Sequence, residues 1–169
     1  KALAEELGAE YQVWSIAGLV SGYTEMVSSG LGRELKWETD DVPLQNIQAR
    51  VRAPGIWLLA NIRGGLLLAT SNRSEAAVGY ATMDGDTSGG LSPIGGIDKA
   101  FLRKWLVWLE KNGLPEVGVF SALSHVNSLQ PTAELRPIES GQSDESDLMP
   151  YSVLDTIERA AIRDKYSPK

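Results

Sequence analysis

The sequence predicts an α/β fold, helices layered on a parallel sheet, from three observations. Segments patterned like strands, Glu10–Ile16 and Leu66–Ala69, alternate with segments of helical periodicity. Leu66–Ala69 is apolar without alternation, as in a strand buried on both faces. A polar switch at Thr70 follows it and leads to a short helix and a Gly-rich loop, the order in which open α/β sheets present ligand sites at the carboxyl ends of their strands.

Element by element, Lys1–Leu7 reads as the tail of a helix stopped by Gly8, and the expectation is that sequence precedes it. Glu10–Ile16 alternates and carries Tyr, Val, Trp and Ile, which predicts a strand. Ala17–Leu31 predicts an amphipathic helix ending at Gly30 and Gly32. A helix is expected from Pro43, with Asp41 as its N-cap, and Pro54 should break or kink it. Ile56–Ile62 predicts a second, apolar helix stopped at Gly64-Gly65. Ser74–Met83 reads as helix, and Asp84–Gly96, with five glycines and one proline, as loop. Asp98–Lys111 has the clearest helical pattern, with Asp98 as N-cap, Phe101, Leu102, Trp105, Leu106, Trp108 and Leu109 on a broad apolar side, and Gly113 as stop. The acidic, Ser-rich run Glu139–Asp147 is expected to be a flexible loop, and helix returns over Tyr151–Lys165.

Composition narrows the chemistry. At 169 residues, 43% hydrophobic and 22% charged, the chain has the make-up of an ordinary globular domain or a piece of one. A formal net charge of -6 argues against a nucleic-acid backbone as partner, although local Arg and Lys can still hold phosphate. With no cysteine and the single histidine His125, thiol nucleophiles, disulfides, Cys-based zinc sites and multi-His metal sites are excluded. No secretory leader pattern and no apolar run of roughly 18 residues occur, which reads as a cytoplasmic chain with no membrane partner.

Three groups of residues could carry chemistry. Asn46 and Arg50, four residues apart, share a helix face, while Arg52 points elsewhere; such groups suit a phosphate or carboxylate ligand, or form a solvated face. Thr70 at the strand end could contact a nucleotide, and Glu75 on the next helix could hold Mg²⁺. The alternative is that Ser71 or Asn72 caps that helix and Glu75 complements its dipole. Asp84, Asp86 and the loop TSGGLSPIGG form the third group. The loop can turn backbone N–H groups to phosphate but matches neither GxxxxGK[ST] nor GxGxxG. Lys99 could reach a phosphate as a point charge or lie on the surface. Thr132 and Glu134 in PTAELRP carry no reading of their own.

Taken in order, NIQARVRAPGIWLLAN, LLLATSNRSEAAVGYATMDGD, SPIGGIDKAFLRKW and PTAELRP followed by GQSDESDLMPYSVLD resemble successive motifs of glutamine-dependent NAD synthetases. The likeness runs from Trp37 to Ile157 and is less distinctive over residues 1–36. It implies a partial Rossmann-like parallel sheet of the adenine nucleotide alpha-hydrolase type, flanked by helices. It also implies a ligase of NAD biosynthesis: ATP adenylates the nicotinate carboxylate of deamido-NAD and releases pyrophosphate, and ammonia drawn from glutamine then displaces AMP. The cofactors implied are ATP and Mg²⁺. By the same resemblance Thr70, Lys99 and Thr132 bind ATP, Asn46, Arg50, Arg52, Glu75 and Asp86 bind deamido-NAD, and Glu75 also holds the metal. No residue is assigned as acid, base or nucleophile. The resemblance further implies a homo-oligomer paired through the synthetase domain, to which the apolar Ile56–Ile62 stretch could contribute.

The chain departs from the family pattern in lacking the SGGxDS pyrophosphate loop, for which SGGL at Ser88–Leu91 is no substitute, and a glutaminase domain with its cysteine. The expectation is that residues 1–169 are one part of a synthetase domain, inactive alone. The other readings are a different amidating ATP-pyrophosphatase, against which NIQARVR and PTAELRP tell, and a non-catalytic module for dimerisation or nucleotide binding.

Overall fold

Helix dominates the computed structural model, which describes residues 1–167, the side chain of Ile138 excepted. In chain order the α-helices are α1 (Ala2–Glu6), α2 (Ala17–Leu31), α3 (Trp37–Arg50), α4 (Arg52–Arg63), α5 (Arg73–Val78), α6 (Lys99–Asn112), α7 (Leu123–Asn127), α8 (Asp144–Asp147) and α9 (Tyr151–Glu158). A 3₁₀ turn spans Ile138–Ser140, and α9 widens into a π-turn over Arg159–Arg163. The chain divides into two compact units, one built from Lys1–Trp14, Ile97–Ala133 and Ser143 onward, the other from Ser15–Gly96 and Glu134–Gln142.

Among the described residues the sheet expected from sequence is reduced to one parallel bridge, Leu68 to Leu91, and one antiparallel bridge, Leu114 to Gly118. Ala69 N–H donates to Leu91 O at 2.8 Å and Gly90 N–H donates to Leu67 O at 2.8 Å, so the Gly-rich loop lies along the apolar run. Leu66 and Leu68 are exposed, so the run is not covered on both faces here. Glu10–Ile16 forms no strand: a strand persists only as one member of a ladder, and Tyr11, Val13 and Trp14 stand exposed without one.

In the second unit α2 ends at Gly32 as expected, then packs on α3. The helix expected from Pro43 instead starts at Trp37 and kinks at Asp40 (φ -124°, ψ 28°). Pro43 is tolerated because the kink makes it part of a new first turn, where a missing N–H costs nothing. Asp40 is the anchor of that kink. It accepts from Arg33 at 2.7 and 2.8 Å, from Lys36 N–H at 3.0 Å and from the Thr39 hydroxyl at 2.8 Å. The Arg33 guanidinium first, then the Lys36 amide and the Thr39 hydroxyl, hold its carboxyl far below the usual range. Asp41 does not cap; Arg136 engages it. The break assigned to Pro54 falls at Val51 instead, and Pro54 sits in the first turn of α4. Ser74–Met83 is helical only to Val78. Gly79 takes φ 68°, a left-handed turn that costs a glycine little, and Tyr80 N–H closes it on Glu75 O at 2.9 Å.

Because the folded Asp40 has a depressed pKa, its contribution to stability is present above the unfolded carboxylate value near ~4 and is lost as pH falls toward the folded value. Arg33→Met should therefore lower stability at neutral pH, and its gap from the unmodified chain should shrink as pH drops below ~4. Urea unfolding followed by circular dichroism across that range checks this, and a gap independent of pH would refute it.

In the first unit α6 packs against α7 and α9. Leu109 of α6 joins Phe120 and Leu123 in a small core, flanked by Leu3 of α1 and Leu106. Glu6 of α1 accepts from Ser121 N–H, the Ser121 hydroxyl and Ala122 N–H, each at 3.0 Å, so α1 braces the turn entering α7. Asp98 occupies the N-cap position of α6, but its side chain makes no cap bond; it pairs with Arg159 at 3.1 Å. Asp155 of α9 does the capping instead, its Oδ2 accepting from Ala100 N–H at 3.0 Å. The run Glu139–Asp147 carries the 3₁₀ turn and α8, and Asp144 within it is buried.

Candidate functional site

The face of α3 that holds Asn46 and Arg50 meets the turn between Tyr80 and Asp86. The Thr82 hydroxyl donates to Asn46 Oδ1 at 3.3 Å, and Thr82 N–H donates to Asp86 Oδ1 at 2.7 Å. Arg50 Nε donates to the Met83 carbonyl at 3.1 Å. An amide, a guanidinium and a carboxylate thus converge on one short turn. The bond to Met83 uses only Nε, so the two Nη groups of the exposed Arg50 keep donors for an anionic ligand. Two backbone features shape the turn. Asp84 adopts φ 63°, which its short polar side chain tolerates better than most. Gly85 sits so close to α3 that a Cβ there would lie 3.0 Å from Ala49 Cβ.

Arg52, grouped with these in sequence, points elsewhere. Its Nη2 donates to the Glu134 carbonyl at 2.6 Å, where Glu134 takes φ 51°. The segment Glu134–Gln142 is also held by Arg136, whose Nε and Nη2 grip the two oxygens of Asp41 at 3.0 and 2.8 Å. Gln142 adds a bond to Gln45 at 3.2 Å and accepts from Leu135 N–H at 3.1 Å. The Arg136 fork lowers the Asp41 pKa despite partial burial. Arg52, Arg136 and Asp41 thus strap this segment down, a role that separations of 82 and 95 residues hide from any local reading of the sequence.

Thr70 is exposed two residues beyond the Leu68–Leu91 bridge, at the end of the apolar run. Glu75 belongs to a capping box: Asn72 accepts from Glu75 N–H at 3.2 Å, and Glu75 Oε2 accepts from Asn72 N–H at 3.2 Å and the Ser71 hydroxyl at 3.3 Å. The capping alternative is therefore what the backbone makes of Asn72. Ser92 ties the Gly-rich loop to the same corner, its hydroxyl donating to Ser71 O at 3.2 Å.

The remaining two candidates belong to the other unit. Lys99 opens α6, its ammonium 5.6 Å from the centre of the Tyr151 ring. Thr132 is exposed and follows Pro131, whose carbonyl accepts from Asp144 N–H at 3.1 Å. Near the same helix start, carboxylate oxygens of the buried Asp98, Asp155 and Glu158 lie within 4.8 Å of one another. The sequence reading missed this cluster, apart from Asp98 as a cap. Arg159 against Asp98 and the Ala100 N–H against Asp155 offset its charge.

The family model described as NAD synthase matches residues 1–168. The glutamine-dependent NAD(+) synthetase of Aquifex aeolicus is 37% identical over 169 residues, which is 100% of this chain and 28% of that protein. Among solved structures, a glutamine-dependent NAD(+) synthetase from Cytophaga hutchinsonii superposes with a TM-score of 0.80 at 46% identity, over 99% of this chain and 25% of its own length. A glutamine-dependent NAD+ synthetase from Acinetobacter baumannii, in complex with adenosine diphosphate, gives a TM-score of 0.62 at 25% identity, over 98% of this chain and 27% of its own. The chain spans about a quarter of the length of these relatives. With the family model matched along almost its whole length, this chain belongs to the NAD synthase family.

Proposed function

We propose that the chain supplies part of the synthetase site of a glutamine-dependent NAD synthetase, a cytoplasmic ligase that amidates deamido-NAD at the expense of ATP with ammonia from glutamine. The observation that carries this reading is the convergence of Asn46, Arg50 and Asp86 on the turn at Thr82 and Met83, within a chain 37% identical to such a synthetase over its full length. In this reading Arg50 and Asn46 bind deamido-NAD, with Asp86 at its nicotinate end. Thr70 contacts ATP from the end of the Leu66–Ala69 run, which with Leu91 is one piece of a Rossmann-like parallel sheet. Lys99 and Thr132 serve the phosphates.

Glu75 suits Mg²⁺ by donor type: its carboxylate supplies hard oxygen atoms, and the Asn72 N–H and the Ser71 hydroxyl orient it. Bound there, Mg²⁺ would screen charge on the phosphates of ATP. Arg52 straps residues 134–142 through one Nη2 bond and joins Asn46, Arg50, Glu75 and Asp86 as a deamido-NAD contact in this reading. The exposed Ile56, Trp57, Leu58 and Ile62 on α4 support pairing with a second copy.

Calorimetric titration with deamido-NAD, with and without Mg-ATP, tests the reading. Arg50→Ala is expected to weaken binding about ten- to a hundredfold, the value of a charge-assisted contact. Equal affinity in both chains would remove Arg50 from the site. Formation of NAD from ATP, deamido-NAD and ammonium by this chain alone would overturn the expectation that it is one part of the catalytic domain.

A further inference from the structure

Tyr151 has the least exposed large side chain among the described residues, 1% accessible, and nothing in the proposed chemistry uses it. Its ring lies under the Lys99 ammonium at 5.6 Å, within cation–π range. Its hydroxyl donates to Asp144 Oδ2 at 2.8 Å, a bond to a buried carboxylate and so a strong one. Its own N–H donates to Glu145 Oε1 at 3.1 Å, and Glu145 pairs with Arg103 of α6 at 3.6 Å. Asp144 in turn donates its backbone N–H to the carbonyl of Pro131, the residue before Thr132. One aromatic side chain therefore connects the start of α6, the acidic helix α8 and the turn that carries Thr132.

We propose that Tyr151 is a positioning residue for the nucleotide phosphates. Its ring sets where the Lys99 ammonium stands, and the Tyr151 hydroxyl, through Asp144, fixes the ring and the Pro131–Thr132 turn together. The inference rests on the reading that Lys99 and Thr132 serve ATP. A flexible lysine pays rotamer entropy when it settles on a phosphate, and a ring that holds its ammonium beforehand reduces that cost. The Asp144 bond anchors the hydroxyl end of the ring when the phosphate draws the charge toward itself.

The test labels the lysines of the full chain with [13C]formaldehyde, which dimethylates each amine and keeps its charge. Lys99→Arg identifies the Lys99 signal. That signal should lie upfield of the exposed lysines, shifted by the Tyr151 ring. It should keep most of the shift in Tyr151→Phe and Asp144→Asn, and lose it in Tyr151→Leu. Titration with Mg-ADP should move the Lys99 signal in the unmodified chain. ADP affinity should fall by up to about tenfold in Tyr151→Leu, the size of the rotamer entropy that a preplaced lysine saves, and by less in Tyr151→Phe. Circular dichroism on each variant separates these effects from unfolding, and Tyr151→Phe provides the arm that retains the core volume. A Lys99 signal level with the exposed lysines, or unmoved in Tyr151→Leu, overturns the positioning role whatever ADP does. A shifted signal that ADP leaves unmoved in every variant overturns the nucleotide reading instead.

Discussion

Gly89→Ala is expected to unzip the single parallel bridge beside Thr70 and to destabilise the second unit by about 2–4 kcal/mol, the sum of overpacking and one or two lost backbone bonds. A Cβ at Gly89 would lie 2.4 Å from Ala69 N and 2.9 Å from Leu68 C, both backbone atoms that cannot swing aside. The same substitution one residue later is the control. At Gly90 the nearest obstacle is Leu66 Cδ1 at 3.0 Å, the end of a flexible and exposed side chain, so Gly90→Ala should cost little. Urea unfolding of the two variants makes the comparison. Equal stability would mean that the Leu68–Leu91 pairing yields without cost and does not fix the end of the run. If the nucleotide reading holds, Gly89→Ala should also weaken Mg-ADP binding more than Gly90→Ala, because only the first displaces the backbone leading to Thr70.

That contrast shows what was legible in the sequence and what was not. Information carried within one turn of helix was readable: α2 and α6 run close to their expected limits and α4, which starts four residues early, ends close to its own, because Gly32, Gly64 and Gly113 stop them locally. The capping box at Asn72 and Glu75 was readable for the same reason, as a polar residue followed three positions later by Glu. Asn46 and Arg50 shared a face simply by spacing. Pairings that depend on distant chain were not readable. Arg136 meeting Asp41, Arg52 meeting Glu134 and Asp155 capping α6 have no local signature; the first and last converted an expected N-cap and an expected self-cap into other roles, and the second gave Arg52 a structural bond that its sequence position does not announce. The extent of the sheet was not legible for a related reason. Leu66–Ala69 has the composition of a strand covered on both faces, but that composition does not supply the neighbours; the Gly-rich loop meets it over Gly89–Leu91, and Leu66 and Leu68 face solvent.

Phe120→Ala should have the other large effect, about 3–5 kcal/mol, the usual cost of emptying a buried aromatic site. The magnitude matters because the core it belongs to is small. Only Leu109, Phe120 and Leu123 are buried in that cluster, with Leu3 and Leu106 half-covering it, while Phe101, Trp105 and Trp108 of the same α6 remain exposed. A domain with total stability of about 5–15 kcal/mol has little to spare against such a loss. The damage should spread in a defined order. Phe120 adjoins Ser121 and Ala122, whose N–H groups bind Glu6, so α1 should detach first; the fixed orientation of α6, and with it the Lys99 ammonium over Tyr151, should follow. Val119→Ala, one residue earlier and 55% exposed, should change stability by less than about 0.5 kcal/mol. Hydrogen exchange can separate the stages, since amides of α1 should lose protection in Phe120→Ala at lower denaturant than those of α6. Matching protection in the two variants would mean that the cluster refills around the vacancy and that the exposed aromatic face of α6 supplies the replacement.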